Sequence, residues 1–362
     1  PEVPVTTTAT YPCCFILPPV VLAQVAEEGA REDRDAALRT LAASASMRAR
    51  RAVVQQLGLT VPQFGRLALA PRGERRTVYD MRNQGSGRLP GTKVWSEGEP
   101  PSKDKAVNEA AEGADHTYDF YKDVFDRNGI DDGDMDLVSS VHYGIDFDNA
   151  FWQGTQMVYG DGSGQFLDKG SLTRDVAVIA HEMTHGVTQF TARLRYSKQS
   201  GALNESFSDV MGSLVKQWVN EETADVADWL IGEGILGSAL PGTALRSMKD
   251  PGTAFEGDPQ TAHMDDYQDL PDDNDPRNDN GGVHINSGIP NRAFYLAATA
   301  LGGQAWENIG RIWYDSLTKR LGEDSQFTDA AAATIASAGE LFGEGSDEEK
   351  AVRSGWKDVG VL

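Results

Sequence analysis

The chain has 362 residues, 40% of them hydrophobic, and a formal net charge of −22. It is long enough for one or two domains with sizeable cores and too apolar for a chain disordered throughout. The negative charge repels nucleic acid and anionic membrane surfaces, and no run of 18 or more apolar residues is present to cross a membrane.

In chain order, "PCCFILPPVVL" at 12–22 holds the only two cysteines, Cys13 and Cys14. Adjacent thiols form only a strained disulfide, so no disulfide framework is expected. The stretch lacks a basic leader and prolines interrupt its apolar run, unlike a secretory signal. Residues 1–76 carry ten arginines, no lysine and seven acids, for a net +3 that leaves −25 on the remainder. A basic segment thus precedes an acidic body, and the two are expected to attract. Residues 32–58, rich in Ala, Leu and Arg and ending at Gly58, read as one or two amphipathic helices. "GRLALAPRGERR" at 65–76 reads as an exposed linker and a natural site of proteolytic nicking. From 77 to about 171, short β-rich runs such as "TVYDM" and "DLVSSVHYGI" alternate with Gly, Asn and Asp turns, and aromatic spacing predicts a helix over 108–128. From 172 onward helical signals dominate, apart from an acidic stretch at 265–280, read as a solvated loop, and the turn-rich "NDNGGVHINSG".

The chemistry concentrates in "VAVIAHEMTHGVTQF", residues 176–190. On a helix, His181 and His185 share a face, so both imidazoles can bind one zinc ion while Glu182 flanks the open position. "GALNESFSDVMGSLV" reads as a second helix carrying Asn204, Glu205 and Asp209. Glu205 supplies the carboxylate of a two-histidine, one-glutamate catalytic zinc site, and Asp209 suits an outer role, accepting from the far nitrogen of a ligating histidine. Such a site lowers the pKa of a bound water, and Glu182 serves as general base. His284, with Asp279 nearby to orient and charge it, is the candidate for stabilising the developing oxyanion.

Together "VYGDGSGQ", "HEMTH", "GALNESFSD", "LRSMKDP" and "DNGGVHINSGIPNRAFYL" resemble the thermolysin family of zinc metalloendopeptidases, over about 77–362. The resemblance implies an α+β fold: a β-rich N-terminal lobe at 77–178, a mainly helical C-terminal lobe at 179–362, and a zinc cleft between them. It implies His181, His185 and Glu205 as ligands of one zinc and Glu182 as base. Tyr196 and His284 form the oxyanion pair, with Asp279 as the partner of His284. Asn204 and Asp209 stand behind the zinc histidines. Asn149 and Ala150 bind substrate backbone and Arg246 a substrate carbonyl. Val178, Ile231, Ile235 and Leu245 wall an apolar pocket just after the scissile bond. Protein and peptide substrates cut on the amino side of bulky hydrophobic residues follow, as does an extracellular location, with storage of a precursor in the cytoplasm as the other possibility. A zinc aminopeptidase would need a Gly-x-Met-Glu-Asn-like motif, which is missing. A non-catalytic binding protein on the same scaffold is disfavoured by the intact Glu182, Tyr196 and His284.

Two departures stand out. Of five carboxylates at the family's paired-calcium site, three positions are Ala177, Lys216 and Leu230, leaving Asp228 and Glu233, and Thr243 replaces the acid of a neighbouring site. A protein that folds without the double calcium site is expected. The first 70 residues resemble the short prosegments of the protealysin-like branch, with maturation somewhere in 50–76. There the segment acts as an intramolecular inhibitor: Phe15, Ile16 and Leu17 suit hydrophobic subsites, Pro18 and Pro19 stiffen the plug and resist cleavage, and a thiolate of Cys13 or Cys14 is positioned to meet the zinc. The register leaves open which thiol, and whether both are merely small apolar packers.

Overall fold

The computed structural model describes residues 14–56 and 76–362. The N-terminal segment enters through a short non-helical stretch with a bend at Ile16 and Leu17 and forms two helices, α1 (Pro19–Glu28) and α2 (Arg31–Gln56). Pro18 caps α1 and Pro19 takes its first position, where a missing N–H removes no helical bond. The apolar run at 15–22 therefore divides into a strap, residues 14–17, and a helix start. The expected linker and maturation segment lie almost wholly outside the described residues.

The following lobe is built on a mixed five-stranded sheet of β1 (Arg76–Asp80), β2 (Thr92–Ser96), β3 (Leu137–Val141), β4 (Ala150–Trp152) and β5 (Met157–Tyr159), in the order β2-β1-β3-β5-β4. β3 runs parallel to β1 and β5, while β2 and β4 pair antiparallel at the two edges. The helix expected at 108–128 is α3 (Lys105–Phe125). It starts earlier because the Asp104 side chain accepts from the Ala106 N–H, and it stops where Asp126 turns left-handed at φ 54°.

Two helices then cross the middle of the molecule, α4 (Val176–Gln189) and α5 (Lys198–Asn220). α4 packs on α3 and β4 to one side and on α5 to the other, so the two lobes share it. α4 and α5 approach closely at Gly212, where an added Cβ would meet the Ala177 carbonyl oxygen at 2.6 Å. The remainder holds a small ribbon of β6 (Leu230–Ile231) and β7 (Arg246–Ser247), followed by α6 (Asp279–Asn286), α7 (Gly288–Leu301), α8 (Ile309–Lys319), α9 (Phe327–Phe342) and α10 (Asp347–Asp358). The acidic stretch 265–280 is mostly irregular, with two short 3-10 turns.

Two polar clusters outside the cleft matter below. Lys216 of α5 bonds Asp228 at 2.6 Å and Glu233 at 3.2 Å. Burial lowers its pKa, but Asp228 and Asp175 outweigh burial and raise it. His142, just past β3, bonds Asp161 at 2.7 Å through Nδ1 and Asp104 at 2.8 Å through Nε2. It thereby ties the start of α3 to the chain after β5.

Candidate active site

His181 and His185 sit one turn apart on α4, and Glu205 faces them from α5; all three are buried. The two Nε2 atoms are 3.1 Å apart, and each lies 3.4 Å from a carboxylate oxygen of Glu205. The other face of each ring is held: His181 Nδ1 by Asp209 at 2.8 Å, His185 Nδ1 by Asn204 at 2.8 Å. That arrangement directs both Nε2 lone pairs to one point. Zinc bonds of about 2.0–2.1 Å in a tetrahedron separate neighbouring donors by about 3.3 Å. The three side chains therefore fit a zinc ion. Oε2 of Glu205 and Oε1 of Glu182 are buried without a hydrogen-bond partner, as a cation-binding pocket requires.

The electrostatics differ residue by residue. Burial, with Glu205 nearby, pushes Glu182 up to about 8, while its Oε2 accepts from the Trp152 N–H at 3.0 Å. Burial pulls His185 down to about 4, outweighing the opposing effect of Glu205. Burial raises Asp209, but Arg246 and His181 outweigh it and hold it at about 2. Arg246 Nε and Nη2 each reach an Asp209 oxygen at 2.8 Å, and Asn291 donates to Asp209 Oδ2 at 2.8 Å. Glu205 is held well below the carboxylate range; burial opposes this, but His284, His185 and His181 outweigh it.

Tyr196 donates its hydroxyl to Glu205 and lies 3.2 Å from His284 Nε2. His284 owes its position to a short left-handed turn. Asp279, Asn280, Gly281 and Gly282 all have positive φ, between 49° and 83°. Glycine suits the last two, and an added Cβ at Gly281 would also press on Lys198. The turn folds the Asp279 carboxylate back over the start of the next helical stretch. There it accepts from the His284 N–H at 2.7 Å and binds His284 Nδ1 at 2.6 Å. Burial lowers the His284 pKa, but Glu205 and Asp279 outweigh it and raise it to about 9.

The strap of residues 14–17 lies in this cleft. The Phe15 carbonyl accepts from His284 Nε2 at 3.0 Å, and the Ile16 carbonyl from Arg246 Nη1 at 2.9 Å. The Ile16 N–H donates to the Ala150 carbonyl of edge strand β4 at 3.2 Å. The Asn149 amide takes both the N–H and the carbonyl of Leu17, at 3.0 and 3.1 Å. Ile16 and Leu17 are fully buried in the same apolar core as Val178, Ile231, Ile235 and Leu245. Phe15 packs separately, with Met47 of α2 and with Phe151, its ring centroid 5.2 Å away. Cys14 is buried beside Tyr196 and Val283, and its sulfur groups with donor atoms of His185 and Glu205 within 4.8 Å. Cys13 lies outside the described residues.

A family model described as the thermolysin metallopeptidase catalytic domain matches residues 57–189, and one described as the thermolysin metallopeptidase alpha-helical domain matches 192–361. The chain belongs to the thermolysin family of metallopeptidases. It is 47% identical over 292 residues to "Protease PrtS" of Photorhabdus sp. (strain Az29), covering 79% of this chain and 76% of that one. It is 43% identical over 357 residues to "Extracellular metalloprotease" of Pectobacterium carotovorum subsp. carotovorum, covering 97% of each. Among solved structures, the precursor of protealysin from Serratia proteamaculans superposes with a TM-score of 0.82 at 43% identity, over 96% of this chain and all of that one. The protein is a zinc metalloendopeptidase, and its fold is that of a precursor with an N-terminal prosegment.

The described residues singled out as zinc ligands, catalytic groups and backbone-binding groups meet in one cleft, while Pro18 and Pro19 begin α1 and the Lys216 cluster lies apart. Three contributors escaped the sequence reading. Trp152 offers only its backbone N–H to Glu182, Ser208 adds a hydroxyl 3.1 Å from His185 Nδ1, and Asn291 braces Asp209. Asn291 stands in the quoted "GIPNRAFYL", where a polar residue on an otherwise apolar helix face was the available signal. Among the described residues, an exposed ion pair joins Glu27 of α1 to Arg277 of the body, at 3.4 Å.

Proposed function

We propose that His181, His185 and Glu205 hold one catalytic zinc, and that Glu182 is the general base for hydrolysis of internal peptide bonds. The observation that carries this reading is the three-donor cluster with separations of 3.1–3.4 Å. When bound there, zinc polarises a substrate carbonyl and acidifies water. Glu182, with one oxygen fixed by Trp152 and one unpartnered, takes the water's proton and delivers it to the leaving nitrogen. Tyr196 and His284 donate to the oxygen on which charge develops, and Asp279 keeps the His284 ring oriented and charged. Asn149, Ala150 and Arg246 hold the substrate backbone. Val178, Ile231, Ile235 and Leu245 select a bulky apolar residue after the cut bond, so cleavage falls on its amino side. Asp209 and Asn204 fix the zinc histidines.

Residues 1–70 act as the latent enzyme's own inhibitor, with the maturation site in 50–76; the β-rich lobe spans 77–178 and the helical lobe 179–362. Residues 14–17 fill the substrate path, and the Cys14 thiolate is the zinc's further donor. Lys216 takes the charge role of calcium, so the enzyme folds without the paired ions. The matured protein works outside the cell, as the printed name of the Pectobacterium relative suggests.

Casein hydrolysis by the matured protein tests the catalytic reading: it is expected to vanish in Glu182→Gln, and equal activity in that variant would refute the mechanism. For the thiol, cobalt-loaded precursor should show a sulfur-to-metal absorption band that Cys14→Ser lacks; identical spectra would leave only a steric plug.

A further inference from the structure

From the Phe15 carbonyl to the Leu17 carbonyl, every backbone polar group of the strap has a partner on the body. In chain order these are His284, Ala150, Arg246, and Asn149 twice. A plug that works by bulk needs no such order. This ladder fixes the register to a single residue, because a slip by one would turn the backbone groups and side chains to the opposite side, away from these partners. The carbonyl that reaches His284, and beside it Tyr196, is that of Phe15. The side chain that follows it is Ile16, which has no exposed surface and belongs, like Leu17, to the large core that includes Val178, Ile231, Ile235 and Leu245.

His284 of the oxyanion pair thus bonds the Phe15 carbonyl, while the next residue's N–H and carbonyl are held by Ala150 and Arg246. We propose that the Phe15–Ile16 bond is an intramolecular cleavage site: the cleft holds its own prosegment in substrate register and cuts it there once the Cys14 thiol has left the zinc position, separately from maturation in the linker. This rests on the residue roles given under the proposed function. Water adds to the Phe15 carbonyl carbon, Glu182 takes its proton and passes it to the Ile16 nitrogen, and the C–N bond breaks. Phe15 ends as a carboxylate on the short N-terminal piece and Ile16 as an ammonium on the remainder; water is the only co-reactant.

The cut does not by itself open the cleft. Ile16 and Leu17 keep Arg246 and Asn149, and α1 and α2 keep their packing. What is lost is the Phe15 anchor against Phe151 and Met47, and with it Cys14. The cut therefore acts as a timer that weakens the plug before the helices leave.

Zinc-loaded full-length precursor, as wild type and as Cys14→Ala, is incubated at low concentration and followed by intact mass and N-terminal sequencing. A species beginning at Ile16 is expected in Cys14→Ala, with a rate independent of protein concentration. Glu182→Gln should not form it, and Ile16→Gly should form the corresponding species about tenfold more slowly. No new terminus at residue 16 in either protein, or cutting instead at Cys14–Phe15 or Ile16–Leu17, overturns the proposal. Register is read without turnover in the Glu182→Gln precursor: slow amide exchange at Ile16 and Leu17, with Leu17 quickened by Asn149→Ala, supports it, and fast exchange at both overturns it. A matured enzyme that digests casein while the precursor's Phe15–Ile16 bond survives defeats this inference alone. Loss of casein activity as well points to the catalytic reading.

Discussion

The zinc cleft and the Lys216 cluster both gather carboxylates onto α5, but they neutralise them differently. In the cleft, Glu205 and Glu182 each keep a buried oxygen without a hydrogen-bond partner. At Lys216, the ammonium bonds Asp228 and Glu233 directly. A lysine's charge is built into the chain and cannot be removed by a chelator, whereas converging donors with bare lone pairs depend on an ion from solution. One cluster is built for exchange and chemistry, the other for permanence.

The largest test of that contrast is chelation. A strong zinc chelator is expected to abolish casein hydrolysis, with recovery on adding zinc, while a calcium-selective chelator leaves both activity and the thermal midpoint unchanged. A large drop in midpoint with the calcium chelator would collapse the comparison. Next, Glu182→Gln should lower kcat by about 10²- to 10⁴-fold with the circular dichroism spectrum retained. Lys216→Ala leaves Asp175, Asp228 and Glu233 without their cation, and denaturant melts should show a loss of about 1–3 kcal/mol. Lys216→Asp should sharpen the point by making the midpoint rise with added calcium.

A smaller effect belongs to His142, whose pKa is raised to about 9, first by its bond to Asp161 and further by Asp104, against the pull of burial. Because the folded value exceeds the unfolded one of about 6.5, the stabilisation is complete below pH 6.5. It declines as pH rises towards about 9 and is gone above that. Melts across this range should show a slope, totalling on the order of 1–2 kcal/mol, that His142→Gln removes. The smallest expectation is Glu27→Ala: its ion pair with Arg277 is exposed on both sides, so stability should change by less than about 0.5 kcal/mol.

What the sequence made legible follows from locality. His181, Glu182 and His185 lie within one helical turn, so spacing alone puts both rings on one face. Asp279 and His284 are five residues apart and joined by a Gly-containing turn, which spacing again suggests. Ala177, Lys216 and Leu230, at positions where the resemblance expects carboxylates, were readable as missing charge. By contrast, Leu17 meets Asn149 across 132 residues, and Ile16 meets Arg246 across 230. No local pattern encodes such pairings, so the family resemblance suggested the cleft but not the register of the strap within it. Trp152 acts through its backbone, which side-chain motifs do not reveal. The division of "FILPPVVL" into strap and helix was obscured because Pro18 and Pro19 read equally well as stiffeners of extended chain and as a helix start.

One consequence of that helix start is mechanical. Between Leu17, gripped by Asn149, and Pro19, the first residue of α1, stands a single proline. The tether has no slack and little torsional freedom. A force that lifts α1 from the body is transmitted to the cleft within one residue, and the strap cannot fray while the helix stays seated. Ile16 and Leu17 therefore leave the cleft together with the helix pair, which is the handle to their bolt.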